Sequence, residues 1–426
     1  MILTELFAIF SEKNLSISTD SRTLKPGDIF WALKGDNFDG NEFVTQALDD
    51  GASFVVSENS DMPMDKGVFA PDALAALQEF AKMHRDNLQI PIIAITGSNG
   101  KTTTKELART VLAKKFKVLA SPSSFNNHVG VPLTMLSIKQ EHEIAVIEMG
   151  DNHEGEIKML CAVAQPTHGL ITNIGRDHIG EAGGMEANVR AKLELYEYFK
   201  NSGGVNFLNR NDEQLFSNSR ELENSEYVPG EIVNSEDLLV LKIDNKEIKT
   251  KFVGEYNLSN FQAAFTVGKY FEVLAEDIVS ALENYEPTNN RSQKIATEKN
   301  IIIMDAYNAN PDSMKLALEN FAKMKSDPST SLRASKKKIV ILGDMFEMGA
   351  FAGEVHAEIM ALAKSLNFDE IYFAGKEFKK LEGENTFETT DNLIRHLKQN
   401  KIENSLVLIK GSRGMALEKI LKENLL

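Results

Sequence analysis

The run Thr96-Gly97-Ser98-Asn99-Gly100-Lys101-Thr102-Thr103 constrains this chain more than any other feature. Four apolar residues, Ile92 to Ile95, precede it, and a helix-like segment, Lys105 to Leu112, follows it. A buried strand, a glycine turn and a helix N-terminus are the parts of a phosphate cradle. The N–H groups of the turn and the unpaired first donors of the helix converge on one spot. Lys101 adds a positive charge there, and the Thr102 hydroxyl can hold Mg²⁺. Ile95 stands where the strict G-x-x-x-x-G-K-[ST] pattern has its first glycine, so only the shorter T-G-x-x-G-K-T form is present. The strand before and the helix after distinguish it from an ordinary glycine-rich turn.

A chain of 426 residues is long enough for two to four domains. Its net charge of −15 disfavours a general nucleic-acid binder, which needs a basic face, and leaves room for a local basic pocket for phosphates. The single Cys161 excludes an intrachain disulfide and a cysteine-based zinc cluster, and is expected to be a small buried apolar residue. No apolar run approaches the roughly 20 residues of a membrane span. Met1 to Phe10 carry Glu5 and neither Lys nor Arg, unlike a secretory leader. The expectation is a cytoplasmic enzyme with no membrane and no nucleic-acid partner.

Three blocks can be separated. Residues 1–87 carry short strands and turns, Asp28 to Leu33 and Ser53 to Ser57 among them, and close with a helical run, Asp72 to Asn87. In residues 88–290, apolar runs at Ile92–Ile95, Ile144–Met149, Gly169–Thr172 and Val205–Leu208 alternate with helix-like segments. That alternation predicts a mainly parallel sheet covered on both faces, with ligands at the carboxyl ends of its strands. Glu286-Pro287-Thr288-Asn289-Asn290 reads as a linker and hinge candidate. Residues 291–426 repeat the alternation, with runs at Ile301–Met304, Ile339–Leu342, Ile371–Ala374 and Leu406–Ile409. Ser326 to Lys338 is expected to be an exposed loop whose Lys336-Lys337-Lys338 is a solvated flank.

Polar residues just past the strand ends are the candidates for chemistry. Glu148 ends a strand and can reach an ion held at the cradle. His178 closes Asn173-Ile174-Gly175-Arg176-Asp177-His178, and a neutral imidazole can ligate a divalent metal or serve as a structural group. Lys192 and Glu194 lie in a helical stretch, Asn188 to Phe199, where composition alone reads a surface charge pair. Asp305-Ala306-Tyr307-Asn308-Ala309-Asn310-Pro311 is dense enough in polar groups for a ligand edge, although Asn at such a turn also caps helices. Lys410-Gly411-Ser412-Arg413-Gly414 offers two cations on a glycine turn, a candidate anion nest.

Taken together these motifs resemble the Mur ligase family over nearly the whole chain. The matching pieces include Asp20-Ser21-Arg22, Gly27 to Phe30, Phe38-Asp39-Gly40, the cradle, and Asn126-Asn127 with Gly130 to Thr134. They continue through Glu148-Met149-Gly150, Asn257, Asn260, Asp305 to Ser313, Leu342 to Met345 and Lys410 to Arg413. The resemblance implies an α/β protein of three domains: a small N-terminal substrate domain, a central P-loop ATPase domain on a parallel sheet, and a Rossmann-like C-terminal domain. It implies ATP and Mg²⁺, and a monomer that joins a carboxylate to an amine. Within the family the motifs fall with members that add D-alanyl-D-alanine to a UDP-N-acetylmuramoyl-tripeptide. By resemblance Asp20, Ser21 and Arg22 lie near the uracil, with Asn126 and Asn127 among the substrate contacts. Residues 96–102 hold ATP phosphates, Asn257 and Asn260 meet adenine, and Arg291 and Asp305 reach the nucleotide from the last domain. Thr102 and Glu148 ligate a first metal, and His178 and Lys192, the latter as a carbamate, a second. Tyr307, Asn308, Asn310, Lys410, Ser412 and Arg413 face the dipeptide. Asp177 departs from the pattern, which more usually has Ala. Asn310-Pro311-Asp312-Ser313 lacks the arginine of the D-N-P-x-R motif in the sister enzyme that adds the third residue. Another Mur ligase or a folylpolyglutamate synthase-like enzyme is the alternative. A nucleotide-dependent switch is disfavoured by the lack of an evident N-K-x-D motif, and an inactive scaffold by the intact Lys101, Glu148, His178 and Lys192.

Overall fold

The computed structural model describes residues 1–63, 65–122, 125–177, 179–180, 183–287, 290–325, 337–423 and 425–426. The short apolar stretches of the first block pair as a parallel four-stranded sheet: β1 (Ile17–Ser18), β2 (Ile29–Trp31), β3 (Phe54–Ser57) and β4 (Gly67–Phe69), in that order. Helices α1 (Leu3–Lys13) and α2 (Ala73–Asp86) pack on it. Asp72 caps α2 by accepting the Ala75 N–H at 2.8 Å, which satisfies one of the helix's orphan donors. Leu77, Phe80 and Ala81 of α2 share one core with Ile92 and Ala94 of the next sheet, so the first unit is packed onto the second.

That second sheet has six parallel strands: β5 (Ile92–Thr96), β6 (Val118–Ala120), β7 (Ile144–Glu148), β8 (His168–Ile171), β9 (Val205–Leu208) and β10 (Glu223–Glu226). Their order is β10-β9-β8-β5-β7-β6. Its helices are α3 (Lys101–Leu112), α4 (Gly130–Leu136), α5 (Glu156–Ala164), α6 (Met185–Ser202), α7 (Leu258–Tyr270) and α8 (Ala275–Asn284). β5 is apolar without alternation because both of its faces are covered. Ile92 and Ala94 sit among α2, α4, α5 and α6, whereas Ile93 and Ile95 sit among α3, α7 and α8. Sequence pattern alone missed three antiparallel strands, β11 (Gly230–Asn234), β12 (Val240–Ile243) and β13 (Lys246–Lys249), whose Leu241, Ile243 and Ile248 extend the second of these cores. Cys161 is buried in the first core, and burial pushes its thiol up to about 12.

The third sheet comprises β14 (Gln293–Ala296), β15 (Ile301–Asp305), β16 (Lys337–Gly343), β17 (Glu370–Ala374), β18 (Thr386–Phe387) and β19 (Ser405–Lys410). Its order is β14-β15-β19-β16-β17-β18, and only β14 runs antiparallel to its neighbour. Helices α9 (Pro311–Lys323) and α10 (Ala352–Ser365) cover one face and α11 (Thr390–Gln399) the other. β19 returns between β15 and β16, so the crevice beyond their carboxyl ends lies at a switch in strand order. The architecture is the expected α/β arrangement of three sheet-based units.

Two linker readings fall partly outside the described residues: Thr288 and Asn289 of the hinge candidate, and 326–336 of the lysine-rich loop. Lys337 is exposed, as a solvated flank should be, whereas Lys338 is partly buried. They open β16, where Lys337 pairs with Glu370 at 3.1 Å and Lys338 Nζ donates to the Ala322 carbonyl at 2.5 Å. Among the described residues, no helix is long and apolar enough to cross a membrane.

The loop after β8 reaches the third unit at Arg176, at Ile179, which joins the core of the third sheet, and at Gly180, whose N–H donates to the Glu347 carbonyl at 3.3 Å. Arg176 donates its N–H and Nε to Asp312 at 2.7 and 2.8 Å, and its terminal nitrogens to Glu358 at 2.8 and 3.2 Å. All three side chains are partly solvated, so the bridge contributes about 1 kcal/mol. The Arg176 guanidinium holds the Glu358 carboxyl below its usual range. The contribution is therefore complete above the ordinary carboxylate pKa and fades as pH falls through the lowered one. Arg176→Ala should loosen the second unit from the third, seen as a larger radius of gyration in X-ray scattering at low salt. An unchanged scattering profile would show that the bridge is incidental.

Candidate active site

The phosphate turn owes its shape to the strand beside it. β8 pairs with β5 up to Ile171 opposite Thr96, and the pairing continues past the strand ends. Ser98 N–H donates to the Asn173 carbonyl at 2.9 Å, and Asn99 N–H to Asn173 Oδ1 at 3.1 Å. Asn173 Nδ2 and Thr172 Oγ1 both donate to the Asn99 carbonyl, at 2.8 and 2.7 Å. Gly97 and Gly100 both have positive φ, +131° and +84°. A Cβ at Gly97 would fall 2.1 Å from Thr172 Oγ1, and one at Gly100 2.4 Å from Asn260 Oδ1, so the backbone lies where no side chain fits. α3 starts directly at Lys101, four residues earlier than the helix-like segment suggests, because left-handed Gly100 forms its N-cap.

The turn opens into a cleft of about 710 Å³ lined from both the second and third units. Ser98, Asn99, Gly100, Lys101 and Thr102 form its floor, with Asn126, Asn127 and Glu148 beside them. Thr96 and Gly97 lie behind this surface. Lys101 Nζ rests on the carbonyl of Gly97 and, at 3.5 Å, that of Ser98. Glu148 is buried, and its Oε1 accepts from the Thr102 hydroxyl at 3.1 Å and from Asn126 Nδ2 at 3.0 Å. Its Oε2 has no hydrogen-bond donor but faces Lys105 Nζ at 3.6 Å. Lys105 is fully buried and also meets the Ser121 carbonyl at 2.7 Å and Glu106 at 3.2 Å. Sequence reading treated Lys105 only as a helix residue. Its position four residues after Lys101, on the same helical face, was the available signal. Asn127 Oδ1 accepts from the N–H groups of Val129 and Gly130, orienting the entry to α4.

Asn257 and Asn260 are buried at the cleft wall, with Asn260 Nδ2 donating to Asn257 Oδ1 at 3.0 Å and Thr104 Oγ1 donating to Asn260 Oδ1 at 3.1 Å. From the third unit, the Arg291 guanidinium carbon sits 3.9 Å from the centroid of the Tyr307 ring, and its buried Nε finds no hydrogen-bond acceptor. Asp305 and Lys410 are register partners at the ends of β15 and β19, which is why Lys410 Nζ reaches Asp305 Oδ2 at 2.6 Å. Arg413 pairs with Glu418 at 2.5 Å, so both cations of the expected anion nest already meet a carboxylate. Ser412 Oγ accepts the Phe346 N–H at 2.9 Å, outside the cleft lining. Asn310 caps α9 through the Ser313 N–H at 2.8 Å and donates Nδ2 to Asn99 Oδ1 at 2.9 Å, tying the third unit to the turn. Asn308 lines the cleft, and its carbonyl lies 3.5 Å from Lys410 Nζ.

Lys192 corrects the surface-pair reading. It is fully buried, with Nζ 3.0 Å from Asp151 Oδ2, 2.5 Å from Asn188 Oδ1 and 3.3 Å from Asp177 Oδ2. Glu194 turns away from it to accept the N–H groups of Gly155 and Lys158 at the start of α5, at 2.5 and 2.8 Å, a carboxylate at a helix N-terminus. Asp151 and Asn188 escaped the sequence reading. The i, i+4 spacing of Asn188 and Lys192 was a signal for one of them. His178 lies outside the described residues. Asp20, Ser21 and Arg22 sit in the first unit, away from the cleft lining. Arg22 grips Asp20 through Nε at 2.9 Å and a terminal nitrogen at 2.7 Å, and so holds its carboxyl down to about 2.

Comparison with known proteins matches residues 15–90 to the description "Mur ligase family, catalytic domain", 95–268 to "Mur ligase middle domain", and 290–413 to "Mur ligase, glutamate ligase domain". The UDP-N-acetylmuramoyl-tripeptide–D-alanyl-D-alanine ligase of Bacillus subtilis strain 168 is 35% identical over 96% of this chain and 92% of its own length. A crystal structure of MurF from Acinetobacter baumannii superposes with a TM-score of 0.83 at 30% identity, covering 96% of this chain and 92% of that one. The Thermotoga maritima MurF ligase structure in complex with ADP shares the fold at a TM-score of 0.82 and 23% identity, covering 96% of both chains.

The Lys105–Glu148 pair makes a measurable prediction. Lys105→Met leaves a buried carboxylate without its cation and should destabilise the second unit by about 3 kcal/mol in urea unfolding. Lys105→Met/Glu148→Gln should recover much of that loss, giving a large coupling term. Additive losses would show that the two groups do not depend on each other.

Proposed function

The chain belongs to the Mur ligase family, and from that premise we infer that its cleft performs ATP-driven amide ligation in peptidoglycan precursor synthesis. The enzyme joins D-alanyl-D-alanine to the terminal carboxylate of UDP-N-acetylmuramoyl-tripeptide. The observation that carries this reading is the single cleft in which the phosphate turn of the second unit faces the Asp305–Lys410 strand ends of the third.

The tripeptide carboxylate attacks the γ-phosphorus of ATP, forming an acyl phosphate and releasing ADP. The amine of the dipeptide then attacks the acyl carbon, loses a proton, and the tetrahedral adduct expels phosphate. The physical obstacle is an anion approaching a polyanion. Lys101 meets it first: its ammonium, resting on the Gly97 and Ser98 carbonyls, is free to turn to phosphate oxygens over the turn's N–H groups. Asn257 and Asn260 hold the adenine side, and Arg291 with Asp305 approach the nucleotide from the third unit. Tyr307, Asn308, Lys410 and Arg413, which line the cleft, receive the dipeptide. Asn310 and Ser412 act behind them, since their side chains are taken by α9 and Phe346. Asp20, Ser21 and Arg22 hold the uridine end. The reading includes a monomer working in the cytoplasm.

A magnesium ion fits the residues present. The Thr102 hydroxyl and the Glu148 carboxylate stand 3.1 Å apart at the cleft wall, and one buried Glu148 oxygen lacks a hydrogen-bond donor. Among the described residues no group of three or more His, Cys, Asp or Glu is placed to hold an ion, so these two residues would share it with substrate phosphates, as Mg²⁺ prefers. Bound there, Mg²⁺ would neutralise phosphate charge.

Phosphate release should require UDP-N-acetylmuramoyl-tripeptide, ATP and D-alanyl-D-alanine together, and should fail when any one is omitted. Release that persists without the dipeptide would sink the ligase reading. Lys101→Ala should slow turnover by about 10²-fold, the effect of losing one preorganised electrostatic donor, with the fold intact by circular dichroism.

A further inference from the structure

Tyr256 and Ser292 also line the cleft, one from each side of the stretch that joins the second unit to the third, and their hydroxyls meet at 2.9 Å. Each is the sequence neighbour of a residue that the ligase reading gives to the nucleotide, Asn257 in one case and Arg291 in the other. Tyr256 stands in a short helical turn, Glu255–Asn257, that leads into α7. Its ring lies against the backbone of Gly254, where φ is +97° and a Cβ would fall 2.4 Å from a ring carbon. The chain before Tyr256 therefore fixes where its hydroxyl points. Asn257 Nδ2 reaches the Ser292 hydroxyl as well, at 3.5 Å.

Ser292 is buried and immediately precedes β14. Its φ of +46° puts a residue with a side chain in the left-handed region, a conformation that persists only where the surroundings impose it. Two contacts impose it here. Tyr256 holds the hydroxyl, and the Ser292 N–H donates to Asp305 Oδ1 at 3.1 Å. Asp305 gives its other oxygen to Lys410 Nζ at 2.6 Å, so both ends of its carboxylate are engaged. A line of hydrogen bonds thus runs from the adenine wall to a cation on the opposite side of the cleft.

We propose that Ser292 is a positioning residue for the ligation: anchored by Tyr256, it sets the orientation of Asp305 and, through it, the place of the Lys410 ammonium that receives the dipeptide. Without the Tyr256 bond, the left-handed backbone at Ser292 loses one of its two restraints, and the N–H turns away from Asp305. Asp305 and Lys410 stay paired, because their attraction does not need Ser292, but they relax together to a new place. The defect falls on use of the dipeptide rather than on the fold.

The inference rests on the ligase reading for its kinetic measurement, and a second measurement stands apart from that reading. With ATP and UDP-N-acetylmuramoyl-tripeptide saturating, Tyr256→Phe and Ser292→Ala should each raise the KM for D-alanyl-D-alanine about tenfold, the effect of one lost hydrogen bond. The double variant should do no more than either alone, because both break the same contact. In a Lys410→Met background, Ser292→Ala should raise the KM no further, because the cation it places is gone. An unchanged KM in both single variants, or losses that add, overturns the proposal. Hydrogen exchange at the Ser292 amide, read by mass spectrometry with fragmentation in the substrate-free protein, should quicken about tenfold in Tyr256→Phe and keep its wild-type rate in the middle of α3. Exchange at the wild-type rate at Ser292 overturns the proposal whatever the activity. Wild-type phosphate release that needs no dipeptide overturns the ligase reading alone.

Discussion

Everything at the cleft depends on the hold that Thr172 and Asn173 keep on the backbone of Ser98 and Asn99. A glycine turn in water has no reason to point its N–H groups one way. Here the neighbouring strand's hydrogen-bond pattern runs on past the sheet and takes up the turn's carbonyl, and the turn N–H groups of Ser98 and Asn99. Positive φ at Gly97 and Gly100 is the local consequence, and close approach by Thr172 and Asn260 forbids any side chain there. The turn is thus built before a ligand arrives, which is what makes electrostatic stabilisation effective at the moment of reaction.

Charge around the turn is matched locally, despite a chain that is strongly acidic overall. Lys105 is buried against Glu148, Lys192 between Asp151 and Asp177, and Lys410 against Asp305. Each pairing offsets a desolvation cost that neither partner could bear alone. Lys101 differs from these three, leaning on backbone carbonyls. A carbonyl is a weaker competitor for an ammonium than a carboxylate, so Lys101 is the cation best placed to change partners when a polyphosphate enters.

The third unit meets the second through polar contacts at the cleft and through apolar ones beside it, where Ile179 and Val253 join the core of the third sheet. Asn310 touches Asn99, and Arg176 clasps Asp312 and Glu358.

Much of this was legible in the chain. Unbroken apolar runs at Ile92–Ile95, Ile144–Ile147 and Leu406–Ile409 announced strands buried on both faces, and polar residues immediately past them announced a ligand edge, because parallel sheets place their crevices there. The antiparallel β11–β13 sheet went unread, since its strands are short and partly exposed and carry no long apolar run. Lys192 shows the sharper limit. In sequence it stands two residues from Glu194 and resembles a surface charge, but those two side chains leave α6 in different directions. Sequence determined that a strand–glycine turn–helix unit and three sheet-based units would form, because periodicity and turn chemistry are local. Only tertiary structure decided that Asp151, Asp177 and Lys192, drawn from a strand end, a loop and a helix, would share one dry pocket, because burial of charge depends on what long-range packing excludes.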